Sequence, residues 1–201
     1  YGQFRYLENS YSGQIDASYM PKDRLREDSA RWRYQLAHTQ AIPTTNWGNF
    51  NLNLNMRRVS DDNYWRDFRD MTSSYTDLTE RVLPSTATLS WGLGNWSAYV
   101  THQRWQTLQQ PDTIVPPFDK LPQAHARYAR SDLNGFDLAL DLDVTRFKSR
   151  PELTGFPNGT RSYAVGQLSY PWIRPWGYVT PTLQLHATQY NTDAPMANSA
   201  T

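Results

Sequence analysis

Phe136-Asp137-Leu138-Ala139-Leu140-Asp141-Leu142-Asp143-Val144 is apolar at every even position and mostly acidic at the odd ones. Successive side chains of a strand point to opposite sides, so alternation sustained this long describes a strand with one apolar and one hydrated face. On a helix the same leucines would be spread around the whole circumference. The stretch decides for a sheet. The same phase recurs where Phe50, Leu52, Leu54 and Met56 interleave with Asn49, Asn51, Asn53, Asn55 and Arg57. Asparagine is depleted in ordinary strands, so four at alternate positions mark a wet surface.

Outward from these two runs the pattern repeats. Gly13, Ile15, Ala17 and Tyr19 share a face, as do Trp32, Tyr34 and Leu36, then Trp96, Ala98 and Val100, then Val179, Leu183 and Leu185. About ten strands are predicted, near 1–8, 10–20, 30–41, 46–59, 79–91, 95–107, 121–131, 135–148, 160–173 and 177–190. Segment 61–78 holds enough charges and aromatics for a turn of helix, but no apolar stripe at i, i+3, i+4 persists, and it is expected to be loop.

The connections carry more information than the strands. Ile42-Pro43-Thr44-Thr45, Gly92-Leu93-Gly94-Asn95, Asp132-Leu133-Asn134-Gly135 and Arg174-Pro175-Trp176-Gly177 each contain the Gly, Pro, Asn or Asp of a tight hairpin. Between them lie long polar stretches at 21–29, 60–78, 108–120 and 149–159. Strict alternation of short and long connections is the habit of outer-membrane barrels, short on the periplasmic side and long on the outer one. The strands exceed the five or six residues usual in soluble sheets and suit a tilted bilayer crossing. Trp47, Trp91, Trp96, Trp172 and Trp176 fall by the short turns, and Trp32 and Trp105 toward the long loops, where interfacial girdles sit.

Composition agrees. Hydrophobic residues make up 38% of the 201, which is low for a soluble core, while aromatics reach 14% with eight Trp and thirteen Tyr, far too many for a disordered chain. The net charge of +1 points to no polyanion, and no nucleic-acid partner is expected. Of twenty basic residues only Lys22, Lys120 and Lys148 are lysines. That bias toward Arg suits bidentate contact with lipid phosphates, and compositional drift explains it equally well. There is no cysteine, hence no disulfide or thiolate site. No run approaches the 18 apolar residues of a membrane helix. The first residue falls inside strand-like text and the end lacks a terminal aromatic strand, so a single barrel segment, 1–201, incomplete at both ends, is expected.

A series of local motifs then resembles a known family. Phe4-Arg5-Tyr6-Leu7 comes first, followed by Gly13, Tyr19-Met20-Pro21-Lys22-Asp23 and Arg31-Trp32. Next is Val59-Ser60-Asp61-Asp62-Asn63-Tyr64-Trp65-Arg66-Asp67-Phe68. Leu121-Pro122-Gln123, Arg146-Phe147, Gly159-Thr160-Arg161, Pro181-Thr182-Leu183 and Thr188-Gln189-Tyr190 complete the series. In this order and spacing they resemble the lipopolysaccharide-assembly outer-membrane proteins, also called organic solvent tolerance proteins. No single motif is specific; the series is. The resemblance implies a barrel of roughly two dozen strands that takes lipopolysaccharide from a periplasmic bridge and delivers it to the outer leaflet. It also implies a plug lipoprotein in the lumen, and a bridge contact through an amino-terminal domain absent here. The lateral gate of the family lies where first and last strands meet, and its disulfides join regions outside this segment, so no residue here is assigned to either.

Other constellations have plainer explanations. His38, His102, His125 and His186 have no second ligand at metal spacing, and Asp61-Asp62 with Asp67 and Asp70 do not fit a calcium-loop ladder. Ser85 and Ser90 lack a nucleophile elbow, and no phosphate-binding glycine loop occurs. No catalytic residue, cofactor or metal is expected. Arg5, Arg31, Arg33, Arg57, Arg58, Arg81, Arg104 and Arg146 near strand ends are read either as contacts to lipid phosphates or plug carboxylates, or as ordinary interfacial snorkelling. Pro84 and Pro181 should interrupt pairing.

The reading is an all-β, antiparallel transmembrane β-barrel segment of about ten meandering strands, part of a larger barrel in the bacterial outer membrane. Asn49, Asn51, Asn53 and Asn55 are expected to face the lumen. Phe50, Leu52, Leu54, Met56, Phe136, Leu138, Leu140 and Leu142 are expected to face lipid. A diffusion porin or other transport barrel is the alternative function. A soluble sugar-binding β-protein is a further rival, against which the alternating connections speak.

Overall fold

The computed structural model describes residues 1–68, 81–109 and 113–194. Ten strands form one antiparallel sheet in which chain neighbours pair: β1 (Gly2–Leu7), β2 (Tyr11–Asp23), β3 (Ser29–Pro43), β4 (Asn49–Val59), β5 (Val82–Leu93), β6 (Trp96–Thr107), β7 (Asp119–Leu133), β8 (Phe136–Lys148), β9 (Gly159–Ser169) and β12 (Thr182–Thr192). β10 (Trp172–Arg174) and β11 (Gly177–Val179) make a separate hairpin between β9 and β12. This is the all-β meander expected, and it is open at β1 and β12.

Three sequence expectations are corrected. β2 runs on to Asp23, so its connection to β3, residues 24–28, is no longer than the one at 44–48, and the alternation of lengths fails on that side of the sheet. Arg174-Pro175-Trp176-Gly177 is the tip of the small hairpin and does not join two long strands directly, so Val179 leaves the face of Leu183 and Leu185. The expected loop at 61–78 begins with one helical turn, α1 (Tyr64–Asp67), and its residues 69–78, Asp70 included, lie outside the described ones. A second such turn, α2 (Pro151–Thr154), starts on a proline and ends on Gly155 in the left-handed region, in the connection between β8 and β9.

The register carries side chains across the sheet in rows. Ile42, Phe50, Trp91, Ala98, Ala126, Leu142, Ala164 and Ala187 are successive partners from β3 to β12, all apolar. Ser12, Thr39, Asn53, Thr88, Thr101, Gln123, Thr145 and Arg161 form a polar row from β2 to β9 on the opposite face. Tyr6, Gly13 and His38 are partners in a third row. The Tyr6 ring lies where a Cβ on Gly13 would be, and its hydroxyl hydrogen-bonds His38 Nδ1 at 2.7 Å. Only glycine leaves room for that crossing.

Pro84 acts on one side only. It pairs with Trp105 of β6 without a shift in register, but the β4–β5 ladder ends next to it at Met56 and Ser85. Beyond that point side chains replace the backbone. Ser85 Oγ donates to the Arg57 carbonyl at 3.1 Å, and the Gln106 amide both accepts from the Val59 N–H (3.1 Å) and donates to its carbonyl (2.8 Å). Pro181 lies just before β12, and its carbonyl accepts from Tyr170 N–H at 3.0 Å.

The buried apolar cluster of the described residues is small and sits at the long-connection end, where Tyr64 and Trp65 of α1 pack with Val59, Leu83 and Leu108. Among the described residues no such core runs along the strands.

Candidate functional site

The two faces of the sheet are the place to look, because in β2, β6 and β8 their burial is inverted. Although Leu83, buried in the cluster with α1, lies by register on the apolar side, Asp16, Asp143, Thr145, Val165 and Ser169 are buried within strands on the asparagine side. Phe4, Ile15, Leu89, Val100, Leu142, Val144, Leu183 and Leu185 lie on the opposite side and are exposed, Leu185 by 69%. A sheet folding in water would do the reverse, since each Å² of apolar surface left wet forgoes about 25 cal/mol. β4 does not share the inversion, since its asparagines are exposed and Phe50, Leu52, Leu54 and Met56 are half-buried. Phe50, Leu52, Leu54 and Met56 share a face with Phe136, Leu138, Leu140 and Leu142, and Asn49, Asn51, Asn53 and Asn55 occupy the other.

The polar face is richly bonded at β7–β9. Asp143, 6% exposed, accepts from Gln123 Nε2 (2.7 Å), Thr145 Oγ1 (2.7 Å) and Arg161 Nη2 (3.2 Å). A buried carboxylate needs this many donors, because an unpaired one would cost several kcal/mol. Beside it lies a polar hollow of about 410 Å³ lined by His125, Arg127, Asp141, Tyr163, Gln167 and Gln184 among others. Toward the long connections Phe118, Phe147, Phe156 and Tyr190 line an apolar hollow of about 300 Å³, with the Arg161 guanidinium 5.5 Å from the Phe147 ring. At the other side of the sheet Asp16 accepts from Gln3 (2.8 Å), Gln14 (2.6 Å) and Tyr1 (3.1 Å).

At the long-connection end, Arg31 is 2% exposed and holds three carboxylates: Asp23 at 3.0 Å, Asp61 through two bonds of 2.9 Å, and Asp67 at 2.7 Å. Burial opposes its charge, but the three partners more than compensate and raise its affinity for the proton. Hydrogen bonds from Arg31 and from the Leu25 N–H hold Asp23 below the usual carboxylate range. Burial works against ionising Asp67, yet hydrogen bonds from Arg31 and Arg26 outweigh it and hold this group low as well. The Tyr64 and Phe68 rings lie 5.5 and 4.7 Å from the Arg31 guanidinium, and Trp65 lies 5.6 Å from that of Arg33. Arg31, Arg33 and Val59 are polar-face residues, so α1 is drawn over the polar side of the sheet. Arg31 is thus committed to its own chain, not to an external phosphate.

Sequence reasoning missed Asp143 as a hub and Arg31 as a knot. Both signals were visible: an acid and a threonine two apart in β8, and an arginine among acidic connections. What was lacking was the register that brings Gln123 and Arg161 to the first, and the fold of α1 that brings Asp61 and Asp67 to the second. The histidines stay apart: His38 bonds Tyr6, His186 bonds Thr188 at 3.0 Å, and His125 lies 3.5 Å from Asp141. Among the described residues no three His, Cys, Asp or Glu gather in a way that could hold a metal.

A family model described as LptD, LPS transport system D, matches residues 29–201. The LPS-assembly protein LptD of Albidiferax ferrireducens is 47% identical over 205 residues, which cover 98% of this chain and 25% of that protein. The protein of the same name from Paracidovorax citrulli is 46% identical over 98% of this chain and 24% of its own length, and that from Bordetella avium 37% identical over 95% and 24%. The chain spans about a quarter of the length of these curated relatives. A family match over most of its residues, on an antiparallel sheet with one polar and one apolar face, means that this chain belongs to the LptD family.

Proposed function

We propose that this chain is a section of wall in the outer-membrane translocon that assembles lipopolysaccharide at the cell surface. The observation that carries the reading is the inverted burial of β2, β6 and β8, where Asp16, Asp143 and Thr145 are buried on one face and Ile15, Val100 and Leu142 are exposed on the other. Family membership supports the cargo, since the relatives are named LPS-assembly proteins. On this reading Asn49, Asn51, Asn53 and Asn55 line a wet lumen. Phe50, Leu52, Leu54, Met56, Phe136, Leu138, Leu140 and Leu142 meet lipid. Sugars of a large amphiphile pass along the polar rows while its acyl chains stay with the bilayer. The part played is non-enzymatic. Residues 1–201 are one segment of a larger barrel, whose bore needs a plug lipoprotein to prevent leakage. The amino-terminal part of the whole protein meets the periplasmic lipopolysaccharide bridge. The relatives' names do not favour a diffusion porin.

Site-specific photocrosslinking in the full-length protein in cells tests this, with the probe at Asn53 and at its neighbour Leu52. Capture of lipopolysaccharide or a lipoprotein at Asn53, with bulk lipid alone at Leu52, supports it. Capture of neither partner at Asn53 makes a plain transport barrel the better reading, and absence from the membrane fraction removes the barrel altogether.

A further inference from the structure

The connection between β9 and β12 differs from its neighbours at the same end of the sheet. Gly94-Asn95 and Asn134-Gly135 close their strands as tight turns, whereas residues 170–181 carry the hairpin β10–β11, paired Trp172 to Val179, Ile173 to Tyr178 and Arg174 to Gly177. Pro171 and Pro181 flank it. The bond from Tyr170 N–H to the Pro181 carbonyl stands where the two sheets separate, and proline supplies no donor to carry the ladder on. The Trp172 and Trp176 rings meet edge to face at 5.5 Å, with the Arg174 guanidinium 5.3 Å from Trp172. Ile173, Trp176 and Tyr178 are 71%, 77% and 80% exposed.

A two-stranded hairpin is marginal on its own in water, and one with large apolar side chains exposed on both faces is not left wet. Two observations say what covers it. Residues 170–181 contain no Asp, Glu or Lys and one Arg, so the hairpin presents a cation among aromatics with no acid to repel an anionic surface. It also continues a belt of aromatics at this end of the sheet: Trp47 on its turn, Trp96 against Tyr128 at 4.9 Å, and Phe136 against Tyr170 at 5.0 Å. Trp and Tyr gather where apolar rings and polar tips are both satisfied, and a guanidinium pairs with phosphate.

We propose that the β10–β11 hairpin is an anchor in the phospholipid headgroup layer on the short-turn side, turned outward at Pro171 and Pro181 and setting the depth of the β9–β12 part of the wall. This rests on the reading that the apolar face meets lipid. The ligand is the glycerophosphate surface of the leaflet, met by Arg174, with the rings seated among the ester groups.

The test is nitroxide accessibility in the full-length protein, reconstituted in vesicles of phosphatidylethanolamine and phosphatidylglycerol. One reactive cysteine is placed by Ile173→Cys or Tyr178→Cys, with Leu140→Cys and Asn134→Cys as references. At residues 173 and 178 the label should collide readily with oxygen and poorly with a water-soluble nickel chelate, at a depth between those of the two references. Nickel access as high as at Asn134 would put the hairpin in water, and low access to both reagents would put it in a protein socket. Either result overturns the anchor. Should Leu140 give lipid accessibility in the same preparation, the anchor alone falls; should Leu140 be open to nickel, the reading of the wall falls with it.

Discussion

Arg31 and Asp61 meet through two parallel bonds, Nε to Oδ2 and Nη2 to Oδ1, both 2.9 Å. The pairing ties the start of a long connection to the third strand of the sheet, and the same guanidinium also reaches Asp23 and Asp67. A planar fork with several donors can serve three carboxylates together; an ammonium is a poorer substitute.

Arg31→Met should therefore cost about 3 kcal/mol, because removing the buried cation leaves the carboxylates around it without a shared counter-charge. Arg31→Lys should recover less than half of this. Denaturant midpoints of the folded, heat-modifiable form measure both, and equal stability of Arg31→Met and wild type would remove the knot from the account.

Acid should release the same region. Asp23 and Asp67 ionise more readily folded than unfolded. Their stabilisation is complete above the ordinary carboxylate value, about 4, and is lost as pH falls through the lower folded values. Hydrogen exchange at residues 61–68 should accordingly stay flat from about pH 8 to 5, after correction for intrinsic rates, and rise below about pH 4. A rise near neutrality would mean that another group controls the turn.

The two faces should respond oppositely to charge. Leu140→Arg is expected to destabilise the folded barrel by about 2–4 kcal/mol, as charge does on a lipid face, whereas Asn53→Arg should be within about 1 kcal/mol of wild type. Folding into bilayers, followed by the mobility shift of unheated samples, reads both. Equal penalties would contradict the assignment of faces.

Gln106→Leu should leave the Val59 N–H and carbonyl without partners, at a cost of about 1–3 kcal/mol, and should speed exchange at the Val59 amide selectively. Unchanged protection there would show that water replaces the side chain without loss.

Gly13→Val should push the Tyr6 ring off its path to His38, and it should be worse than Tyr6→Phe, which removes one hydrogen bond worth about 1 kcal/mol. Thermal midpoints of the two variants give the order; the reverse order would mean that the ring has another route.

Phe136 to Val144 and Asn49 to Met56 were legible as strands because period two is a local property, set by side chains alternating across a pleated backbone. The same locality made Gly94-Asn95 and Asn134-Gly135 legible as turns, and Asn134 and Gly135 indeed adopt the positive φ such turns require. The sheet and its two faces were therefore determined by the chain itself. Where β2 ends was not, because Met20–Asp23 pairs across a register shift that no local pattern records. Nor was the hairpin at 172–179: Pro171 fell inside a predicted strand, and the break expected at Pro181 did not reveal that a separate pair of strands precedes it. The hub at Asp143 and the knot at Arg31 join residues from three strands, or from two strands and a connection. Such contacts depend on register and on how a loop folds back, and these are settled by the summed pairing of the whole sheet, so only the tertiary structure decided them.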